Sequence, residues 1–470
     1  MRSYTSLVRH EGNKELFFFT ELGVIGLAAG MPVHLHAEGL RGTGKTTILR
    51  SARSILPTVV RIKDCQFNCD PGNPHCPSHS YLTAEEKATL EREKVNTPYL
   101  EISHSAKIGT VVGSLDLKQL TNVDHPEAAL LPGILPRAHR GIVLVDEINR
   151  LADTAPELTD ILLDAMGTKP GRVQIEENGL PTVSLPLRAS IWAASNPDED
   201  PGSLADIRRQ LSDRFDFMVH MGRPREVASL LEILNPDQSS VRFDREQKAD
   251  DRLSQRLVEM ASRVPIIEIP DVILESLAEI YLNHNLESLR ALEAVKTGAV
   301  LATARRGGYE VTWDDVLMVA PAALRHRLNP EQLETVLQDL QRERNLLESP
   351  AWAAASGATS ALLEQDQPLS AGKSSSSMKN QRVGWWERVV TWCSQLMGRR
   401  RDVFQSSEGK SKVANLGQGK RVRTKQSSVP KMSNPLDMPL VTPPSTARPL
   451  FELEVADAVA VGEVTDGSKH

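Results

Sequence analysis

Three groups of residues in this chain have the types and the spacing to do chemistry. The first is Gly39-Leu40-Arg41-Gly42-Thr43-Gly44-Lys45-Thr46-Thr47, a G-x-x-x-x-G-K-[ST] pattern between an apolar run and a helical one. Its glycines let consecutive backbone N–H groups turn inward around phosphate, and the helix start adds its positive end. Lys45 supplies a point charge for the terminal phosphates and Thr46 a hydroxyl for Mg²⁺, while Arg41, Gly42, Thr43 and Thr47 complete the cradle. The implied ligands are ATP and Mg²⁺.

The second group stands at the ends of apolar runs. Ile142-Val143-Leu144-Val145 is followed by Asp146 and Glu147, which places two carboxylates at the carboxyl end of a strand buried on both faces. Asp146 can join the Mg²⁺ shell, and Glu147 can orient and deprotonate an attacking water. Alone, an apolar run ending in acids is as often a strand meeting solvent; joined to the phosphate loop it becomes a hydrolytic pair. Ile191 to Ala194 leads to Ser195-Asn196-Pro197, where Asn196 could bridge Glu147 and the terminal phosphate or simply make an Asn-Pro turn. Arg208, Arg214 and Arg290 offer guanidinium groups for phosphate charge, or ion-paired helix ends.

The third group is Cys65-x3-Cys69-x6-Cys76-x2-His79 in a Pro- and Gly-rich stretch. Three thiolates and an imidazole are the ligand set of a closed tetrahedral zinc site. The spacing departs from the usual pattern at the second pair, His75 competes with His79, and free or redox-active thiols are the alternative.

The elements that must position these residues read as a doubly wound parallel sheet of the α/β class. Strands are expected at Met31 to Ala37, Thr58 to Ile62, Tyr99 to Ser103, Ile142 to Val145 and Ser190 to Ala194. Helices are expected at Thr46 to Ile55, Ala84 to Glu93 and Ala155 to Met166. Val173-Gln174-Ile175 and Val183-Ser184-Leu185 flank Asn178-Gly179 as a hairpin. The organisation is therefore a nucleotide-binding core over 1–225, carrying a Cys/His insertion at 63–97 and a hairpin insert at 171–187. A helical lid follows over 226–347 and a low-complexity, mostly disordered tail over 348–470.

The 470 residues are 40% hydrophobic and 25% charged, which excludes a fully disordered or fibrous chain. No uninterrupted apolar run of spanning length occurs, since Glu21 breaks the stretch from Leu16 to Val33, so a cytoplasmic location is expected. The net charge of −6 hides an asymmetry: between Lys373 and Lys425 thirteen Lys/Arg face three acids, leaving an acidic body. An acidic body argues against nucleic acid as the partner. Within 381–401, Trp385, Val389, Trp392 and Leu396 recur at helical spacing among arginines, a pattern suited to a membrane surface, a protein partner or the chain's own lid.

These motifs together resemble the AAA+ ATPase (I) subunit of magnesium chelatase and its chelatase-like relatives, over roughly Tyr4 to Leu328. The resemblance rests on Tyr4-Thr-Ser-Leu-Val-Arg9, the Gly39 to Thr46 loop, Val111-Val-Gly-Ser-Leu-Asp116, Pro132-Gly133-Ile-Leu, Arg140 to Asn149, Leu162-Leu-Asp164, Ser195-Asn-Pro197 and Leu211-Ser-Asp-Arg-Phe215, in that order. It implies that Asn196 is sensor 1, Arg290 is sensor 2, and Arg214 or Arg208 is the arginine finger reaching a neighbouring subunit's ATP. It also implies that the Asn178-Gly179 hairpin is the pre-sensor-1 insert and that Val111 to Thr121 lies near the helix-2 insert. The resemblance further implies a homo-oligomeric ring, commonly of six subunits, working with a partner that carries an integrin-like (VWA) domain. Ser212 stands where the family has a second leucine, the integrin-like domain is absent, and the long tail is an addition. The implied function is an ATP-hydrolysing motor that drives metal insertion or partner remodelling. The alternatives are a MoxR-like chaperone ATPase with a non-tetrapyrrole client, a non-hydrolysing scaffold and a nucleic-acid motor.

Overall fold

The computed structural model describes residues 3–115, 130–167, 170–176, 182–198, 200–235 and 240–347. The tail at 348–470, with its Trp-rich segment 381–401, lies outside the described residues, as do Asn178-Gly179 and the stretch from Asp116 to Thr121. The strands are β1 (Leu35–Gly39), β2 (Thr58–Ile62), β3 (Arg92–Asn96), β4 (Tyr99–Ile102), β5 (Gly113–Leu115) and β6 (Leu130–Pro132). They continue with β7 (Ile142–Val145), β8 (Gly171–Ile175), β9 (Val183–Leu187), β10 (Ser190–Ser195) and β11 (Phe217–Met221).

The central sheet has the order β11-β1-β10-β7-β4, with every neighbouring pair parallel. Side chains alternate across a strand, and here the alternation divides two cores. Ile142 and Leu144 of β7, with Trp192 and Ala194 of β10, join the helix Lys14–Ala28 and the C-terminal helices. Val143 and Val145, with Ile191 and Ala193, join the helix Pro156–Ala165 and the hairpin β8–β9 on the opposite face. Both faces are covered, as a parallel sheet of apolar strands requires.

Four local readings need correction. β2 is not part of this sheet; it pairs antiparallel with β3, Arg61 opposite Glu93, and the two side chains close an ion pair of 2.7 Å. The helix expected to reach Glu93 ends at Thr89, although it begins as a capping box at Thr83, with Glu86 three residues on. The Arg92-Glu-Lys-Val-Asn run alternates like a strand and finds β2 beside it. β1 begins at Leu35, after Pro32, and runs straight into the phosphate loop; β11, at the sheet edge, was not anticipated.

The remaining reversals follow their chemistry. β8 and β9 pair antiparallel with Val173 opposite Leu185, as the alternating sequence predicts. β5 pairs antiparallel with β6, Gly113 opposite Pro132, which brings together two of the segments on which the resemblance rests. Beyond Glu226 the helices are Val227–Leu234, Ser240–Ala261, Asp271–Asn283, Leu289–Arg306, Trp313–Leu324 and Pro330–Leu347. The N-terminal Tyr4-Thr5 strap is pinned to the second of these: Tyr4 N and Thr5 N donate to Asp250 at 3.2 and 2.9 Å. The Tyr4 motif is therefore structural, binding the chain's start to a helix some 250 residues on.

Candidate active site

The phosphate loop leaves β1 at Gly39 and enters the helix Lys45–Ser51. Gly42 and Gly44 have φ of 75° and 94°, backbone that a side chain would strain, so glycine is needed at both. Lys45 is buried, and its Nζ donates to the carbonyls of Gly39 and Leu40 at 2.5 and 2.8 Å, which holds the ammonium across the loop. Thr43 Oγ1 donates to Leu40 O at 2.8 Å and braces the same turn.

β7 lies two strands from β1, with β10 between them, and all three run parallel. Their carboxyl ends therefore open onto one crevice, where ligands bind in open α/β sheets. Thr46 Oγ1 donates to Asp146 Oδ1 at 3.0 Å, which brings together two oxygens able to join the six-oxygen shell of a hard octahedral cation. Their chemistry fits Mg²⁺. Glu147 takes the left-handed conformation, φ 51° and ψ 48°, at the start of the helix Ile148–Thr154. Its carboxylate lies with Oε2 3.4 Å from Arg150 Nη1, one turn along that helix.

Two further charged groups join this end of the sheet. Arg50 bonds Glu101 through Nε at 3.0 Å and reaches Asp146 Oδ2 at 3.4 Å. The hydrogen bond to Glu101 raises the Arg50 guanidinium further above its ordinary value, so its charge on Asp146 is permanent. Arg50 lies one turn beyond Thr46, so helical spacing would have found it; Glu101, at the mouth of β4, had no such signal.

Asn196 follows β10, and the register Ala193 to Val145 places it just past the Asp146-Glu147 pair on the neighbouring strand. Its Oδ1 accepts from Asp198 N at 3.3 Å, and its carbonyl accepts from Asn149 Nδ2 at 3.2 Å. Asn149 also reaches Gly202 O at 3.0 Å, so this one amide ties the loop after β10 to the helix after Glu147. Behind it, His36 Nε2 meets Ser195 Oγ at 2.7 Å, and burial pushes His36 down to about 4, so the pair is neutral.

The arginines separate into two places. Arg208 is paired with Asp160 on the helix Pro156–Ala165. Arg290 Nη1 is 3.2 Å from Asp213 Oδ2, and burial followed by the Arg290 charge lowers the Arg214 guanidinium. Asp213 also takes Arg327 Nε at 3.0 Å, and Arg327 donates onward to the carbonyls of Asp213 and Phe215 at 2.7 and 2.8 Å. Arg327, buried and holding the segment Asp213–Phe215 to the C-terminal helices, had no signal in the sequence.

Cys65, Cys69, Cys76 and His79 are also brought together, with all four donor atoms within 4.8 Å of one another. No helix among the described residues is long and apolar enough to cross a membrane.

The chain is similar to known proteins. The AAA lid domain family matches residues 274–344. The magnesium-chelatase 38 kDa subunit of Acidiphilium rubrum is 32% identical over 315 residues, covering 66% of this chain and 87% of that protein. A magnesium-chelatase subunit ChlI homolog of Methanocaldococcus jannaschii is 30% identical over 329 residues, 66% of this chain and 84% of its own. A solved complex between subunits BchI and BchD of magnesium chelatase aligns with 71% of this chain and 98% of its own at 26% identity, with a TM-score of 0.36. By its 32% identity over 87% of the Acidiphilium rubrum subunit and its AAA lid domain, the chain belongs to the magnesium-chelatase I-subunit family of AAA+ ATPases.

Proposed function

We propose that this chain is the motor subunit of a chelatase-type complex, hydrolysing ATP in a homo-oligomeric ring, commonly of six, to remodel a partner subunit or drive its metal insertion. The observation that carries the reading is the contact of Thr46 with Asp146 beside Glu147, at the strand ends that also bear the phosphate loop. In this reading Lys45 and the loop amides hold the phosphates, and Thr46 and Asp146 hold Mg²⁺, which would neutralise charge on the transferring phosphoryl group. The Glu147 carboxylate orients a water and accepts its proton as the oxygen bonds the terminal phosphorus and the bond to ADP breaks. Arg150 competes for that carboxylate at 3.4 Å and gives way to the water in turnover. Asn196 senses the terminal phosphate, Arg290 exchanges Asp213 for phosphate when the lid closes, and Arg214 or Arg208 serves the neighbouring subunit.

The division into a core over 1–225 and a lid over 226–347 belongs to the same reading, as does a cytoplasmic location. An integrin-like (VWA) partner and docking by the Trp-rich segment 381–401 are its outward-facing parts. Glu147→Gln is the test, because it preserves shape while removing the base. ATP binding should persist and turnover should fall by about 10²- to 10⁴-fold; hydrolysis at the unaltered rate would remove Glu147 from its role.

A further inference from the structure

We propose that Cys65, Cys69, Cys76 and His79 form a zinc site that folds the insertion between β2 and β3 onto the amino-terminal end of the parallel sheet. This goes beyond the hydrolytic reading and does not depend on it. Cys65, Cys69 and Cys76 are 4%, 0% and 1% exposed, and His79 closes the group with its Nδ1 3.1 Å from Cys76 Sγ. A tetrahedral ion bonded at about 2.0–2.3 Å to each donor spaces the donors roughly 3.3–3.8 Å apart. A pair at the 4.8 Å limit of this group would close by about 1 Å and the Cys76–His79 pair would open slightly. Three sulfurs and one imidazole, with no carboxylate among them, are a soft, closed set that selects zinc over the hard cation of the nucleotide site.

Backbone N–H groups of His75 and Cys76 point at Cys69 Sγ at 3.4 and 3.3 Å, which fixes the turn that brings Cys69 beside Cys76. His75, the other candidate in the sequence, stacks on His139 with ring centroids 3.9 Å apart and sets its Nδ1 3.4 Å from Cys69 Sγ. It stands beside the donor group, and His79 completes it.

Placement gives the site its purpose. Arg140, two residues before β7, donates to Val60 O at 2.5 Å and to Asn68 O at 3.3 Å, and its Nη1 lies 3.3 Å from Asp70. Asn68 bonds the carbonyl of Arg137, and Arg140 N donates to the carbonyl of Arg188, just before β10, at 2.7 Å. The loop carrying the cysteines is therefore fastened where β7 and β10 begin, whereas Asp146 and Asn196 stand where they end. Between β2 and β3 the described residues form one short helix, Ala84–Thr89, none of whose residues is buried. A segment with so little core of its own is held by a cross-link, and a metal supplies one without a disulfide.

The test uses the full chain purified without chelators, in a Cys393→Ser background so that the three clustered cysteines alone report. Elemental analysis should find about one zinc per chain. The three thiols should stay silent to a thiol reagent until a chelator or mercurial releases the metal, with zinc appearing in step on a colorimetric indicator. His79→Ala should bind zinc more weakly, and Glu147→Gln should retain it fully. Folded chain without zinc, thiols that titrate freely before chelation, a disulfide between two of them, or stoichiometric iron would each overturn the proposal. Since Cys69→Ser may not fold, the metal content of the unaltered chain decides.

Discussion

At the carboxyl end of the sheet the reactive side chains stand half open: Asp146, Glu147 and Glu101 are 34%, 40% and 39% exposed. At the amino end the cysteines are buried, and two backbone amides point at Cys69 Sγ. The same parallel strands serve both ends, yet the carboxyl end keeps its groups within reach of water and the amino end excludes it. A site that exchanges nucleotide has to open and refill, whereas a site that stabilises an insertion gains by closing. Left-handed backbone marks each end, at Glu147 beside the phosphate loop and at Asn68 within the cysteine loop.

In the proposed ring a neighbouring subunit completes the carboxyl end, and the arginines are the place to break that idea. Arg214→Ala or Arg208→Ala, whichever is the finger, should lower turnover by about 10³-fold. Mixing it with Glu147→Gln subunits should restore part of the activity at interfaces that pair an intact finger with an intact base. Turnover that ignores both mixing and protein concentration would mean that the site is complete within one chain. Arg208 is already engaged with Asp160, while Arg214 is half-buried within the field of Arg290, so the two variants should not behave alike.

A smaller effect tests whether the two ends are independent. Lys45→Ala removes the ammonium that the carbonyls of Gly39 and Leu40 position, and should weaken ATP binding by about 10- to 100-fold in calorimetry. Its zinc content and its melting temperature without nucleotide should match those of the unaltered chain. Loss of metal in this variant would show the ends to be coupled.

The last effect concerns the polar residue inside the sheet. Burial lowers His36 from 6.5 to about 4, so the folded chain keeps it neutral while the unfolded chain takes up a proton near 6.5. As pH falls from 6.5 toward 4 the unfolded state binds more protons, and stability should drop by up to about 3 kcal/mol. Urea melts of His36→Gln against the unaltered chain would isolate that slope from any acid release of metal. Parallel slopes for the two chains would remove His36 as the cause.

The nucleotide loop and the Asp146-Glu147 pair were legible because their chemistry is local. A phosphate cradle needs glycines and a lysine within one turn of chain, and a buried strand ending in acids is contiguous. The hairpin β8–β9 was legible for the same reason, since alternation and a reversal are short-range properties. What only the tertiary structure decided involves residues far apart in the chain. Thr58 to Ile62 looks like any strand of a parallel sheet, and its removal to a separate ribbon was decided by Arg92 to Asn96, some thirty residues on. Glu101 and Arg50 meet at Asp146, and Asp213 joins Arg290 to Arg327, through contacts that no spacing rule encodes. The choice between His75 and His79 likewise waited on which imidazole the loop turned toward the sulfurs and which it laid against His139. Local sequence sets what a segment can do chemically, whereas burial and long-range packing decide which of those groups meet, because loop closure and desolvation depend on the whole fold.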